Sequence, residues 1–203
     1  MKKIEDYLLR GTPSYLLPLG AGFVMASSAD LRAALGMGVA VIIIALLSSL
    51  VISLIRNIVP QKGHLPIYIL IVTGFTSIVQ MFMQAWFPEV VNMLGVHLAA
   101  LSVSAVLYRD AEEVAGINGV GKSVLTALLT GVFFTVVMVV CALFREVLGN
   151  GSIWGVEIGF LKDYKIASLA GAFGAYLVLA IVLAVIRAIG SAINKKQEVK
   201  EVK

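Results

Sequence analysis

The chain reads as an all-α integral membrane protein of six transmembrane helices, arranged as two inverted three-helix repeats, and three observations predict this. Apolar residues make up 60% of the sequence and charged residues 14%, whereas soluble domains average about 25% charge. The mean hydropathy is +0.98. Several apolar stretches reach the roughly 20 residues that a helix needs to cross a bilayer, and helices satisfy their own backbone groups there. Two stretches are apolar yet interrupted: Leu19 to Ser28, and Leu94 to Ala115, which carries a glycine, a histidine and two serines before ending in charge.

Residues 1–12 form a charged lead whose Tyr7, Leu8 and Leu9 suit the membrane interface. Glu5, Asp6 and Arg10 interrupt the pattern of a cleavable signal peptide, so none is expected. The first segment, about Tyr15 to Ser28, contains Pro18, Gly20 and Gly22 and is too short and broken for one regular span. Leu35 to Ile55 is a full span ending at Arg56. The loop Val59-Pro-Gln-Lys-Gly-His-Leu-Pro66 closes it with two prolines and a glycine. Leu65 to Phe87 is the third span, with Trp86 at interface depth and with Gln80 and Gln84, one turn apart, expected to join helices. Val90 to Tyr108 is the fourth, ended by Arg109 and Asp110 as an interfacial anchor. Val124 to Leu143 is the fifth. A polar connection from Gly149 to Lys165 leads to the sixth, Ile166 to about Ile189, and to a basic tail over 191–203.

Of 16 lysines and arginines, 12 fall in the N-terminus, the second and fourth loops and the tail. Basic residues mark the cytoplasmic side, so both termini are expected inside. In this setting the net charge of +4 reports topology and does not point to nucleic acid.

Leu54-Ile-Arg-Asn-Ile-Val-Pro60 at the end of the second span matches Leu143-Phe-Arg-Glu-Val-Leu-Gly149 at the end of the fifth, and Leu-Gly opens both interrupted segments. Each half, about 13–88 and 89–190, therefore holds three spans. An odd number forces the halves to lie upside down relative to each other. Such repeats place a site near the midplane, where broken helices meet.

Gly116-Ile-Asn-Gly-Val-Gly-Lys-Ser123 matches the phosphate-loop pattern. No strand precedes it and a membrane span follows, so no nucleotide is expected there. His97, about one turn into the fourth span, could handle protons or serve as a ligand, because ionisable groups at membrane depth are costly; a hydrogen-bonded structural role at the interface is the alternative. Ser102 and Ser104 are expected to bond helix carbonyls or pack against small residues. The single cysteine, Cys141, cannot build a cluster alone, and no catalytic triad, zinc pattern or dinucleotide fingerprint is present.

His64-Leu-Pro-Ile-Tyr-Ile-Leu-Ile-Val72, the Leu94-Gly95 entry, the Ala111-Glu112 turn and above all Arg145-Glu-Val-Leu-Gly-Asn-Gly-Ser-Ile-Trp-Gly155 resemble the small six-helix subunits of the Rnf and sodium-pumping Nqr electron-transport complexes, most closely the Rnf E / Nqr D type. The resemblance covers about residues 13–160. It implies two inverted repeats, each with a half-helix; a homologous partner of opposite topology among other subunits; a place in a bacterial or archaeal-type cytoplasmic membrane; and one cysteine per half-helix at a membrane iron-sulfur centre. Aligned from Leu19-Gly20, the first cysteine falls on Gly22, with Phe23 at the family's following proline. Aligned from Leu94-Gly95, the second falls on Ala105. Neither side chain replaces a thiolate. The expectation is thus a subunit without cluster ligands of its own, any iron-sulfur centre or flavin being held by partners. A small-solute or ion transporter, or a structural assembly subunit, stands as the alternative.

Overall fold

A computed structural model of the chain describes residues 30–60, 63–154, 156–157, 171, 173–182, 184–185 and 188. The first interrupted segment with Gly22, most of the sixth span and the basic tail lie outside the described residues. Three long helices dominate: α1 (Leu31–Ile55), α2 (His64–Trp86) and, further on, α6 (Val120–Arg145). Between α2 and α6 lie α3 (Pro88–Leu94), α4 (Val96–Ala100) and α5 (Ala105–Arg109). The apolar helix Phe173–Val182 (α7) falls inside the expected sixth span. Among the described residues, three helices and one bent pair are long and apolar enough to cross a membrane. The only strands among these residues are a two-residue antiparallel ladder, Ser152–Ile153 with Val156–Glu157.

The second and fifth spans each begin four residues earlier than sequence predicts, and the third begins one residue earlier. Asp30 and Gly119, both extended, start α1 and α6 as soon as the chain leaves a polar turn. Pro66 is tolerated in α2 because it lies in the first turn, where its missing N–H would have had no helical partner.

Helices α1 and α6 run antiparallel and form the largest interface in the chain. Small residues let them approach closely. A Cβ on Gly131 would stand 2.9 Å from Ile42 Cγ1 and 3.2 Å from Ile42 Cα, and a Cβ on Gly38 would collide with Thr135. Without a hydrophobic force between helices in lipid, this close packing supplies the attraction. Hydroxyls inside the spans are returned to their own helices: Ser48 donates to the Ile44 carbonyl at 2.6 Å, Thr76 to Val72 at 2.8 Å and Thr135 to Gly131 at 2.7 Å.

The internal match has a geometric counterpart. Leu54 and Leu143 are 89 positions apart, and the same spacing separates Ile42 from Gly131. These two equivalent positions touch each other, as residues beside a pseudo-twofold axis must. The buried faces also coincide at this spacing: Ala34 with Ser123, Gly38 with Ala127, Ala45 with Phe134, Ser49 with Met138 and Ile52 with Cys141 are all buried. Helices α1 and α6 are therefore related as the equivalent members of two inverted halves.

Candidate functional site

The fourth span is broken twice. Helix α3 ends at Gly95, whose φ of 53° and ψ of −133° lie where a side chain would be strained, and the two halves of the span meet at 75°. A 3₁₀ turn over Leu101–Val103 follows α4. Ser104 is extended (φ −70°, ψ 120°), and Ala105 opens α5, so the helix restarts at the position where the resemblance expects a ligand. An extended residue at membrane depth frees backbone groups, which is tolerable only inside protein. Ser104 is 2% exposed, and the Tyr108 hydroxyl donates to the Ser102 carbonyl across the break. Leu94, Leu98, Leu101 and Leu107 anchor the broken span in the same apolar core as Met37, Ile44, Val72 and Met138.

The structure places the sequence candidates unequally. Ser104 and Ala105 form the second break together, with Ser102 just before it. His97 projects outward from α4 and is exposed, apart from the buried break. Gln84 is exposed and Gln80 half-buried, so Gln84 faces the surroundings of the chain where a helix-joining role is expected of it. Gly22 lies outside the described residues. Cys141 is buried in α6 within the apolar core. With an alanine at position 105, the second break offers no thiolate, so its residues do not fit a cluster ligand set.

Asp110 departs from the expected interfacial anchor. It is 3% exposed and opens a π-helical turn, Asp110–Ala115, directly after α5. Its Oδ1 accepts a hydrogen bond from Thr130 at 3.4 Å. Thr130 lies ten residues into α6, about 15 Å along the helix, so this carboxylate sits well inside the span. Asp110 lies one turn after buried Leu107 on the same face, while Arg109 is only half-buried; π-turns recur at functional positions. The signal available in sequence was its place three residues after Leu107, one turn along the same helix face.

The ends of α1 and α6 are joined by different contacts. At one end, the Glu146 carboxylate, 1% exposed, accepts the backbone N–H of Leu31 at 2.9 Å and caps α1, whose Asp30 makes no side-chain cap. Beside it, Arg145 is buried and donates to the Gly171 carbonyl at 3.4 Å. Arg32 donates to the Trp154 carbonyl at 3.4 Å and lies 5.8 Å from the center of that ring. At the other end, Arg56 donates to the Ile117 carbonyl at 2.7 Å and Ser53 to the Asn118 carbonyl at 3.0 Å, while His64 Nε2 stands 3.4 Å from Glu112 Oε1. Arg56 and Arg145 are the equivalent residues of the two matched heptapeptides. Each sits at the end of a long helix; Arg56 reaches the turn before α6, and Arg145 reaches Gly171, beyond the pair.

The phosphate-loop look-alike is part of this second joint. Gly119 starts α6, Ser123 is fully buried with its hydroxyl on the Gly119 carbonyl at 3.0 Å, and Lys122 Nζ donates to Asn118 Oδ1 at 3.1 Å. The serine that would hold a nucleotide's metal is thus turned into the helix start.

An antiparallel pair of long apolar helices, joined at both ends and flanked by a doubly broken span, defines an integral membrane protein of the inverted-repeat class. The family model described as "Rnf-Nqr subunit, membrane protein" matches residues 2–187. The chain belongs to this family. It is 27% identical over 186 residues, 92% of this chain and 95% of the relative, to the E-type subunit of the Na(+)-translocating ferredoxin:NAD(+) oxidoreductase complex of Acetobacterium woodii. It is 32% identical over 149 residues to the E-type subunit of the ion-translocating oxidoreductase complex of Pseudomonas paraeruginosa, covering 73% of this chain and 62% of that one. The corresponding subunit of Pseudoalteromonas atlantica is 30% identical over 157 residues, 77% of this chain and 68% of the relative.

Proposed function

We propose that the chain is a membrane subunit of an ion-translocating electron-transport complex, lying beside a homologous subunit of opposite topology with both of its own termini in the cytoplasm. In this role it supplies no iron-sulfur ligand: Gly22 and Ala105 stand at the two ligand positions, and electrons cross on groups held by neighboring subunits. The observation that carries the reading is the second break of the fourth span, where the helix restarts at Ala105 with a buried polar backbone but no thiolate. The relatives' place in ion-translocating oxidoreductase complexes supports the same assignment. Buried Asp110, with its contact to half-buried Thr130, supplies a polar point close to that break.

The test is purification of the intact complex through a tag on this chain. A homologous six-helix subunit is expected to co-purify, and iron bound to the complex is expected to survive replacement of His97, Ser102 and Cys141. Iron stoichiometric with this chain alone, and lost when its own side chains are changed, would overturn the ligand-free reading. A second reading, a solute or ion transporter acting by itself, is favored by the inverted pair α1/α6 and the broken span, a plan that transporters share. It predicts transport by the chain reconstituted without partners, where the leading reading predicts none.

A further inference from the structure

A groove of about 650 Å³ runs between α1 and α2, within the roughly 300–1,000 Å³ of small-molecule sites. Its walls are two exposed stripes spaced one helical turn apart: Val39, Ile43 and Leu47 on α1, and Ile78, Phe82 and Trp86 on α2. The helices are antiparallel neighbors, so the start of one stripe faces the end of the other. Arg32 and Trp86 therefore share one end of the groove, and Leu47 and Ile78 the other. The floor is closed because Val90 occupies the space that a side chain on Gly36 would need.

Apart from Arg32, every lining residue is apolar. The guanidinium carries five N–H donors, of which the Trp154 carbonyl takes one among the described residues. A cation flanked by two tryptophans is the composition of the bilayer interface. From Arg32 to Leu47 the groove extends 15 residues, about 22 Å at the helical rise, against about 15 Å for one leaflet of the hydrocarbon core. The groove thus begins at headgroup depth and continues past the midplane.

Charge and shape together select the occupant. These walls lack the small residues that favor close helix approach: they are branched and aromatic, and the single glycine is already filled by Val90. A flexible acyl chain fits such walls, and the positive charge at the mouth complements a phosphate. We propose that this groove is a binding site for one anionic phospholipid, its phosphate on Arg32 and one acyl chain along Val39, Ile43 and Phe82.

The test places the photoreactive residue benzoylphenylalanine at Val39 in the complex in its native membrane, with a second probe at Leu70, an exposed residue of α2 that does not line the groove. After illumination, the adducts are identified by mass spectrometry. The probe at position 39 is expected to capture phospholipid enriched in anionic headgroups relative to the probe at position 70. The enrichment is expected to fall about fivefold in Arg32→Gln, the effect of one basic residue near an anionic surface, and capture is expected to be lost in Ile43→Trp, which fills the groove. Adducts to another polypeptide at position 39, the same lipid composition at both probes, no adduct at 39 while 70 reacts, or enrichment indifferent to Arg32→Gln would each overturn the proposal.

Discussion

The packing of Ile42 against Gly131 tests the inverted architecture most directly, because equivalent positions of two inverted halves meet only at their axis. In Gly131→Ala the new methyl would lie 2.9 Å from Ile42 Cγ1 and 3.2 Å from Ile42 Cα. The Cγ1 can rotate away, but the Cα moves only if the helices separate. Overpacking of this kind costs about 1–3 kcal/mol. Gly→Ala also changes intrinsic helix propensity by up to about 1 kcal/mol, so the control is Gly74→Ala, inside α2, where an added Cβ meets nothing within 4 Å. Both substitutions share the propensity gain, and their difference isolates the steric cost. The expected gap is roughly 5- to 150-fold in the folded-to-unfolded ratio, read from detergent-driven unfolding followed by circular dichroism. In the double variant Gly131→Ala with Ile42→Ala, the Cγ1 clash is gone while the crowding against the Ile42 backbone stays, so part of the loss is recovered as a coupling between the sites. Equal stability of Gly131→Ala and Gly74→Ala, or a Gly131 effect unchanged by Ile42→Ala, would refute close packing at the axis.

Three further outcomes follow from the joints and the break. Glu146→Leu removes the acceptor of the Leu31 N–H and is expected to cost about 1–3 kcal/mol. Glu146→Gln keeps an oxygen there and costs less, and hydrogen exchange at the first turn of α1 accelerates in the same order. Arg56→Ala, which loses one bond to the Ile117 carbonyl, is expected to lower stability by about 0.5–1.5 kcal/mol. Its equivalent Arg145→Ala costs more, since that guanidinium is buried, and equal losses in thermal unfolding would contradict the asymmetry of the two joints. Gly95→Ala forces a side chain into the backbone at φ 53° and is expected to cost about 1–3 kcal/mol. The measurement is the yield of assembled complex, which should fall for Gly95→Ala and stay unchanged for an equivalent substitution at His97, whose side chain is exposed.

The spans were legible because lipid imposes a rule on composition: a segment without charge over some 20 residues has few alternatives to a helix. The matched heptapeptides also carried real geometry, since Arg56 and Arg145 stand at the two ends of the α1/α6 pair. What the sequence could not carry was direction around the helix axis. Asp110 looked like an anchor because it follows Arg109 at the end of the apolar run, whereas its carboxylate turns inward to Thr130 on the face that buried Leu107 shares. Gln84 looked like a helix-joining amide and faces outward, because spacing fixes which residues share a face but not which neighbor that face meets. Glu146 was hidden for a related reason. Its partner is a backbone N–H 115 positions away, and a cap supplied across the fold leaves no local signature at Asp30 or Leu31. Contacts such as Glu146 with the Leu31 N–H, made far along the chain, are thus the ones that sequence reveals least. In an inverted repeat they are also the ones that fix how the broken span is held against α1 and α6, and hence where Ala105 and Asp110 stand in the membrane.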